Sequence, residues 1–249
     1  MYSALLVIIY LAFISLGLPD TLLGSAWPQM HIELNASLSS AGIITMIISM
    51  GTVISSLFSD RLNIKLGTGK VTAISVLMTA VALLGFSLSH SFIILCVLAV
   101  PYGLGAGAVD AALNNYVALH YSSKHMSWLH CFWGVGASIG PYIIGTCMAH
   151  GLGWRGGYSV ISVLQFTLTA ALFITLPLWK KVENSENNVS NGNNERTQEE
   201  PQERKAKSLS EVLHIKGVIY ILFAFFCYSA VEQTTTLWCA SYLVLNRSI

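Results

Sequence analysis

Seven long apolar stretches run along the chain, and each is long enough to cross a lipid bilayer as a helix. A membrane-spanning helix needs roughly 20 predominantly apolar residues. The stretches cover residues 2–27, 38–59, 70–89, 92–119, 127–149, 156–179 and 216–244, and we call them spans one to seven. Because unpaired backbone groups are not tolerated in hydrocarbon, the pattern predicts an all-α membrane protein.

The polar connections divide the chain into three parts. Short loops join the first six spans, which predicts a six-helix bundle over residues 1–179. Residues 180–214 are polar, rich in Asn and mixed in charge, so we expect a disordered linker there. Residues 215–249 contain span seven, which we expect to begin a second bundle and to pack less completely than the first six spans.

The positions of Lys and Arg predict the orientation in the membrane. On one side they lie in the loops after spans two and four and in the linker: Arg61, Lys65, Lys70, Lys124, Lys180, Lys181, Arg196, Arg204, Lys205, Lys207 and Lys216. The opposite side has only Arg155 and Arg247. Since cytoplasmic loops carry the excess of basic residues, the N-terminus and the linker should be cytoplasmic. We expect an integral, multi-pass protein of a bacterial plasma membrane.

The composition supports a membrane protein and argues against nucleic acid as a partner. The chain is 54% hydrophobic and 10% charged, whereas soluble domains carry about 25% charged residues. The net charge is only +1, and no basic patch exists outside short loops and the linker. The lipid bilayer is therefore the partner that the composition predicts.

Three acidic residues lie inside the apolar spans: Asp20 in span one, Asp110 in span four and Glu232 in span seven. No Lys or Arg lies in the interior of any span. A carboxylate in hydrocarbon is costly unless it faces a cavity, a partner or a cation, and one removed from water takes up a proton more readily. The acids predict a pathway coupled to protons or sodium ions. The alternative is that each serves as a polar group in tight helix packing.

Small and polar residues share a helical face with each acid. The faces are Gly17, Asp20, Gly24 and Trp27 in span one, Gly103, Gly107, Asp110 and Asn114 in span four, and Tyr228, Glu232, Thr235 and Thr236 in span seven. We expect Gly103 and Gly107 to leave open room beside Asp110. Because Asp110 lies nearer the middle of its predicted span than Asp20 does, we expect Asp110 to be the principal proton carrier.

The missing basic residues also restrict the solute. An anionic substrate would need Lys or Arg in the cavity, so neutral polar solutes or cations fit better. His130 could relay a proton or bind the solute, although it lies near the predicted cytoplasmic end of span five. Trp133 and Trp238 offer flat faces of the kind that bind sugar rings, with lipid or helix packing as the alternative.

Two patterns that are typical of enzymes or metal sites do not apply here. Residues 136–140 read G-x-S-x-G, but they lie within an apolar helix and not between a strand and a helix. We therefore do not expect an enzyme. His120, His125 and His130 are five residues apart, which does not place them on one helical face. We expect no metal and no cofactor.

Several stretches resemble the major facilitator superfamily. Residues 56–61, followed by Gly67, Gly69 and Lys70, resemble the loop between its spans two and three. Gly136 and Gly140-Pro141 resemble its packing motif in span five. Within the superfamily, the chain is most similar to the fucose and glucose permease group of sugar–proton symporters. The matching stretches are 103–117, 130–137 and 231–232, together with Trp238 and Tyr242.

The resemblance implies roles for individual residues. The acids of spans one and four are associated with proton coupling in that group, and Asp20 and Asp110 are the matching positions; Glu232 falls in the matching part of span seven. Asn114 matches a polar position that lines the sugar cavity, and Asn115 belongs to the same stretch. The implied function is secondary active transport, with proton-coupled import of a sugar or another small neutral polar solute. Efflux of drugs or metabolites, or a non-transporting receptor or assembly subunit, are the alternatives.

The number of spans differs from the family fold. That fold has twelve spans in two halves, whereas this sequence contains seven. We therefore expect a fragment or a truncated product, whose natural partner is the missing C-terminal half of the transporter.

Overall fold

The computed structural model describes residues 2–193, 211 and 213–247, with side chains for 5–179, 211 and 213–247. Apart from short turns between the helices, the described residues are helical, and the structure confirms seven helices of membrane-spanning length. Span one consists of two helices, Tyr2–Asp20 and Leu22–Glu33. Spans two to six are Ala41–Leu66 (after a 3₁₀ turn, Leu38–Ser40), Thr68–Leu88, Phe92–His120, Ser123–Ala149 and Gly153–Asn193. Span seven is Val218–Tyr242, extended by a π-helical turn, Leu243–Arg247.

The first six spans pack in pairs around two apolar clusters. Span one lies along span five, span two along span four, and span three between spans four and six. One cluster surrounds Trp27 and Trp154, and the other surrounds Phe13 and Trp179. The clusters occupy opposite ends of the bundle, which leaves the region between them available for polar groups.

Spans one and five touch backbone to backbone. A Cβ atom added to Gly17 would meet the backbone of Trp133, and one added to Gly136 would meet the backbone of Ile14. Gly140 lies in the same way against Leu18. Small residues at helix interfaces in membranes permit such close approach. The contact brings the side chain of Trp133 to the middle of span one.

Spans two and four are joined by a similar contact, which corrects one expectation. Gly103 lies against the backbone of Ile48, and Gly107 lies against Thr52 and Ser55. The space beside these two glycines is thus filled by span two and is not open room next to Asp110. Because both helices are almost uniformly apolar, the sequence did not indicate which neighbour this face would meet.

Two helix boundaries differ from the predicted ones. Span one reaches Glu33, so Asp20 lies one residue from the midpoint of Leu5–Glu33, while Asp110 lies four residues from the midpoint of Phe92–His120. The expectation that Asp110 is the more central acid is therefore wrong.

The helix of span six continues to Asn193, so the predicted disordered linker is helical from 180 to 193. No Pro or Gly interrupts residues 180–191, and extending an existing helix is far easier than starting one. Residues 194–210 lie outside the described residues.

Span seven packs less completely than the others. None of its most apolar segment is buried, and it contacts mainly the second helix of span one. The closest approach is at Gly24, where an added Cβ would meet the backbone of Thr236 and Leu237. Span seven therefore closes one side of the region between spans one and two.

The close contact between spans one and five can be tested with two alanine substitutions in one helix. Gly136→Ala should destabilise the protein by about 1–3 kcal/mol, because its Cβ has to displace the backbone of Ile14. Gly134→Ala is the matched control, since a Cβ there meets nothing within 4 Å, and it should be neutral or slightly stabilising. Thermal unfolding of the purified proteins measures the difference. Equal melting temperatures for the two variants would contradict the contact.

Candidate functional site

All seven spans contribute to a cavity of about 600 Å³ in the middle of the bundle. Its lining includes Asp20 and Asp110 but no Lys, Arg or His among the described residues. The other polar groups in the lining are neutral: Thr45, Ser49, Thr52, Tyr102, Trp133, Tyr158, Ser229, Gln233 and Thr236. The cavity therefore has two acidic groups and no lining cation to balance them.

Asp20 lies where span one is interrupted. The first helix ends at Asp20 and the second begins at Leu22, so the carboxylate stands at the break and is exposed to the cavity. The hydroxyl of Tyr102 donates to its Oδ1 at 3.1 Å, and the indole Nε1 of Trp133 donates to its Oδ2 at 2.9 Å. Both oxygens are thus held by neutral donors, one from span four and one from span five.

Span six stabilises the bend in span one just before Asp20. Pro19 has no N–H group, so the carbonyl of Ser15 loses its usual partner within the helix. The amide of Gln165 donates to that carbonyl at 2.6 Å, and the hydroxyl of Ser15 donates to Gln165 Oε1 at 2.5 Å. Ser15 and Gln165 are both buried. A buried carbonyl that a proline would leave unpaired is therefore satisfied from a neighbouring span.

A proline in span five leaves a second carbonyl without its helical partner, and here span one supplies the donor. Pro141 removes the N–H that would pair with the carbonyl of Ala137, and the hydroxyl of Thr21 donates to this carbonyl at 2.9 Å. Thr21 is the residue at the break in span one, directly after Asp20. Hydrogen bonds on both sides of Asp20 therefore fix the position of its backbone.

Asp110 has a different environment from Asp20. It is partly buried at the cavity wall, and the amide of Asn114, one turn further along the helix, donates to its Oδ1 at 2.9 Å. The imidazole of His130 in span five lies within electrostatic range of this carboxylate. His130 lies about two turns inside the helix that begins at Ser123. The titratable neighbour of Asp110 is thus a basic group, whereas Asp20 lies within electrostatic range of the acids Asp110 and Glu232.

The structure brings together only some of the residues predicted for the site. Asp20, Asp110 and Trp133 line the cavity, whereas Asn114, Asn115, His130, Glu232 and Trp238 do not. Asn114 is hydrogen-bonded to Asp110, and His130 is an exposed residue within electrostatic range of it. Asn115 is exposed on another face of span four. Trp238 packs against the apolar cluster around Trp27.

Span seven presents only part of its predicted face to the cavity. Thr236 of the predicted face lines the cavity, whereas Glu232 does not. The other lining residues of span seven are Phe225, Ser229, Gln233 and Leu237. Glu232 is half-buried. It lies within electrostatic range of Asp20, and its role in proton coupling stays a prediction.

Several polar residues of the site were missed in the sequence. Thr45, Ser49 and Thr52 follow an i, i+4, i+7 pattern, which is the spacing of one helical face. Tyr102 lies two turns before Asp110, and Gln165 is an amide inside an apolar span. Polar residues within spans usually form hydrogen bonds across helices or line a cavity. Their position inside apolar spans could therefore have identified these residues as site candidates.

Comparison with known proteins identifies the family. The chain matches the family model of the Major Facilitator Superfamily over residues 9–247 and belongs to this superfamily. It is 25% identical over 116 residues to the uncharacterized transporter y4wD of Sinorhizobium fredii, a match that covers 45% of this chain and 31% of that protein. It is 24% identical over 178 residues to synaptic vesicle glycoprotein 2B of Rattus norvegicus, covering 69% of this chain and 26% of that protein. The chain thus matches less than a third of the length of either relative.

The bond between Gln165 and the bend can be tested by a double-mutant cycle. Gln165→Leu should destabilise the protein by about 1–3 kcal/mol, because the carbonyl of Ser15 is then buried without a donor. Pro19→Ala restores an N–H group that can pair with this carbonyl within the helix. In the Gln165→Leu background it should therefore recover part of the lost stability, as measured by thermal unfolding. Purely additive effects of the two substitutions would contradict this role for Gln165.

Proposed function

We propose that the protein is a secondary active transporter that couples proton movement to import of a small neutral polar solute, with a sugar as the leading candidate. The observation that carries the proposal is the central cavity, in which the described lining residues include two carboxylates and no cation. Its volume of about 600 Å³ falls within the range of small-molecule sites. Family membership supports transport, and the resemblance to the fucose and glucose permease group supports a sugar.

Protonation of Asp20 would change how the cavity binds a solute. The ionised carboxylate accepts hydrogen bonds from Tyr102 and Trp133 and competes with a solute for both donors. A protonated carboxyl is a weaker acceptor and carries a donor of its own. Proton binding would then release neutral donors to a solute and remove a charge that is costly away from water. Proton and solute would bind together for this reason.

The other lining groups suit hydroxyl-rich solutes. Ser49 and Thr52 of span two face the same cavity as Ser229 and Gln233 of span seven, and each can donate and accept hydrogen bonds. Trp133 adds an aromatic surface next to Asp20. Two carboxylates would repel an anionic solute, which is how a site rejects the wrong ligand.

The complete transport cycle would use the architecture of the family. In this class, two bundles rock against each other around a central site. We propose a cytoplasmic N-terminus, a bacterial plasma membrane and a second bundle as the partner. Span seven, which lies against the second helix of span one, would be the first contact between the two bundles.

An organic cation is the second candidate solute. Asp20 lies between the aromatic side chains of Tyr102 and Trp133, and a carboxylate with nearby aromatic rings favours cations. A cation exchanged for protons would fit efflux. A competition binding experiment distinguishes the two candidates. A neutral sugar should displace bound ligand if the solute is a sugar, and a quaternary ammonium compound should displace it if the solute is an organic cation.

The role of Asp110 can be tested in vesicles that contain the full-length protein. Asp110→Asn fixes a neutral, protonated-like side chain while keeping its size. Solute binding and exchange should survive, whereas accumulation driven by a proton gradient should be lost. Asn115→Ala is the control, because Asn115 lies outside the cavity, and it should accumulate solute as wild type does. If Asp110→Asn also accumulates solute like wild type, Asp110 is a packing residue and coupling falls to Asp20 or Glu232.

A further inference from the structure

A tyrosine of span six reaches the central cavity, although span six packs mainly against span three. This residue is Tyr158, which belongs to the cavity lining. We propose that its hydroxyl group determines specificity by forming a hydrogen bond with one hydroxyl of the transported solute. The inference rests on the proposed function, because it assigns a solute contact within the same cavity.

The hydroxyl of Tyr158 is a buried polar group that remains accessible from the cavity. Among the residues that the structure describes, its oxygen has no hydrogen-bond partner, yet this oxygen keeps accessible surface. Only 1% of the residue is exposed, and the residue lines the cavity, so the accessible oxygen lies at the cavity wall. Because a buried tyrosine hydroxyl usually has a partner, a solute in the cavity would supply the missing one.

Packing fixes the ring of Tyr158 in place. The ring centroid lies 5.6 Å from that of Phe86, and the ring meets Trp154 edge-on at 5.9 Å. The next residue in the chain is also held, because the hydroxyls of Ser87 and Ser159 form a hydrogen bond of 2.6 Å between spans three and six. A group that is already in position loses little side-chain freedom when a ligand binds. The hydroxyl is therefore preorganised for a solute.

Tyr158 lies in the part of the cavity next to Tyr102. Their side chains are within electrostatic range of each other, and the ring of Phe86 lies beside both tyrosine rings. Tyr102 donates to Asp20, so its hydroxyl would become available when that acid takes up a proton. The two tyrosines would then offer one hydrogen bond each to hydroxyls on the same side of a solute.

The chemistry of a phenol determines which solutes this position favours. A tyrosine hydroxyl both donates and accepts hydrogen bonds. A solute with a hydroxyl at the matching position would satisfy it, whereas an analogue with hydrogen at that position would leave the buried oxygen unpaired. A quaternary ammonium group has neither a donor nor an acceptor for this contact. Tyr158 thus favours a hydroxyl-bearing solute.

Binding of D-glucose and L-fucose to the purified full-length protein tests the proposal, with isothermal titration calorimetry as the measurement. Each sugar is compared with its monodeoxy analogues. Wild type should bind one sugar about fivefold more tightly than the analogue that lacks the hydroxyl contacted by Tyr158. Tyr158→Phe keeps the packed ring and should bind this pair equally. Tyr142→Phe is the matched control, because Tyr142 is exposed in span five and does not line the cavity, and it should keep the wild-type preference.

Three results would contradict the proposal, and they can be told apart. If wild type binds a sugar and Tyr158→Phe keeps every wild-type preference between sugar and analogue, the hydroxyl does not contact the solute, while the proposed function stands. If Tyr158→Phe weakens a sugar and all its analogues by the same factor, the substitution alters the cavity in general and the specific contact is overturned. If neither sugar binds to wild type, the proposed sugar transport fails and this assignment fails with it.

Discussion

The site depends on the backbone contact between spans one and five. Helices usually pack 8–10 Å apart, according to the side chains between them. Gly17 and Gly136 remove those side chains where the two helices cross. Only this closeness lets the indole of Trp133 reach Asp20 and the hydroxyl of Thr21 reach the carbonyl of Ala137. The glycines thus determine the geometry of the acid without touching it.

Prolines next to this contact explain why three spans meet at one level of the bundle. Each proline leaves a carbonyl without its helical partner, and in a membrane such a group needs a donor from elsewhere. Gln165 supplies the donor for the carbonyl of Ser15, four residues before Pro19. Thr21 supplies the donor for the carbonyl of Ala137, four residues before Pro141. Asp20 is therefore held at a bend whose neighbouring backbone groups are already satisfied. Its carboxylate faces the cavity, where the proposed coupling would bring proton and solute together.

The sequence predicted the parts of the fold that depend on composition. Seven spans followed from length and apolarity, and Asp20 and Asp110 stood out because acids are rare in hydrocarbon. The faces of the helices were harder to assign. Glu232 was placed on the cavity side of span seven, whereas Gln233 lines the cavity. In a helix that is apolar all round, periodicity does not show which face meets which neighbour. The tertiary contacts decide this, as they do for Gly103 and Gly107.

The ends of the helices were also difficult to predict from the sequence. The polar residues between Pro28 and Glu33 resemble a loop, yet helix continues through them because Trp27 and Met30 are buried in the bundle. That extension moved Asp20 to the middle of its span. The comparison of two acids by their depth therefore failed, although both acids were recognised. Depth in the membrane depends on where a helix ends, and the boundary residues carry little signal in their composition.

The central claim is that the acids of the cavity carry protons together with a neutral solute. The most direct test records the pH of a lightly buffered suspension of vesicles that contain the full-length protein, without an imposed ion gradient. Neutral sugars are added one at a time. The account predicts that a transported sugar makes the medium alkaline as protons enter with it, and that a protonophore abolishes the change. Uptake of the sugar without any change of pH, or uptake that requires sodium ions, would contradict the account.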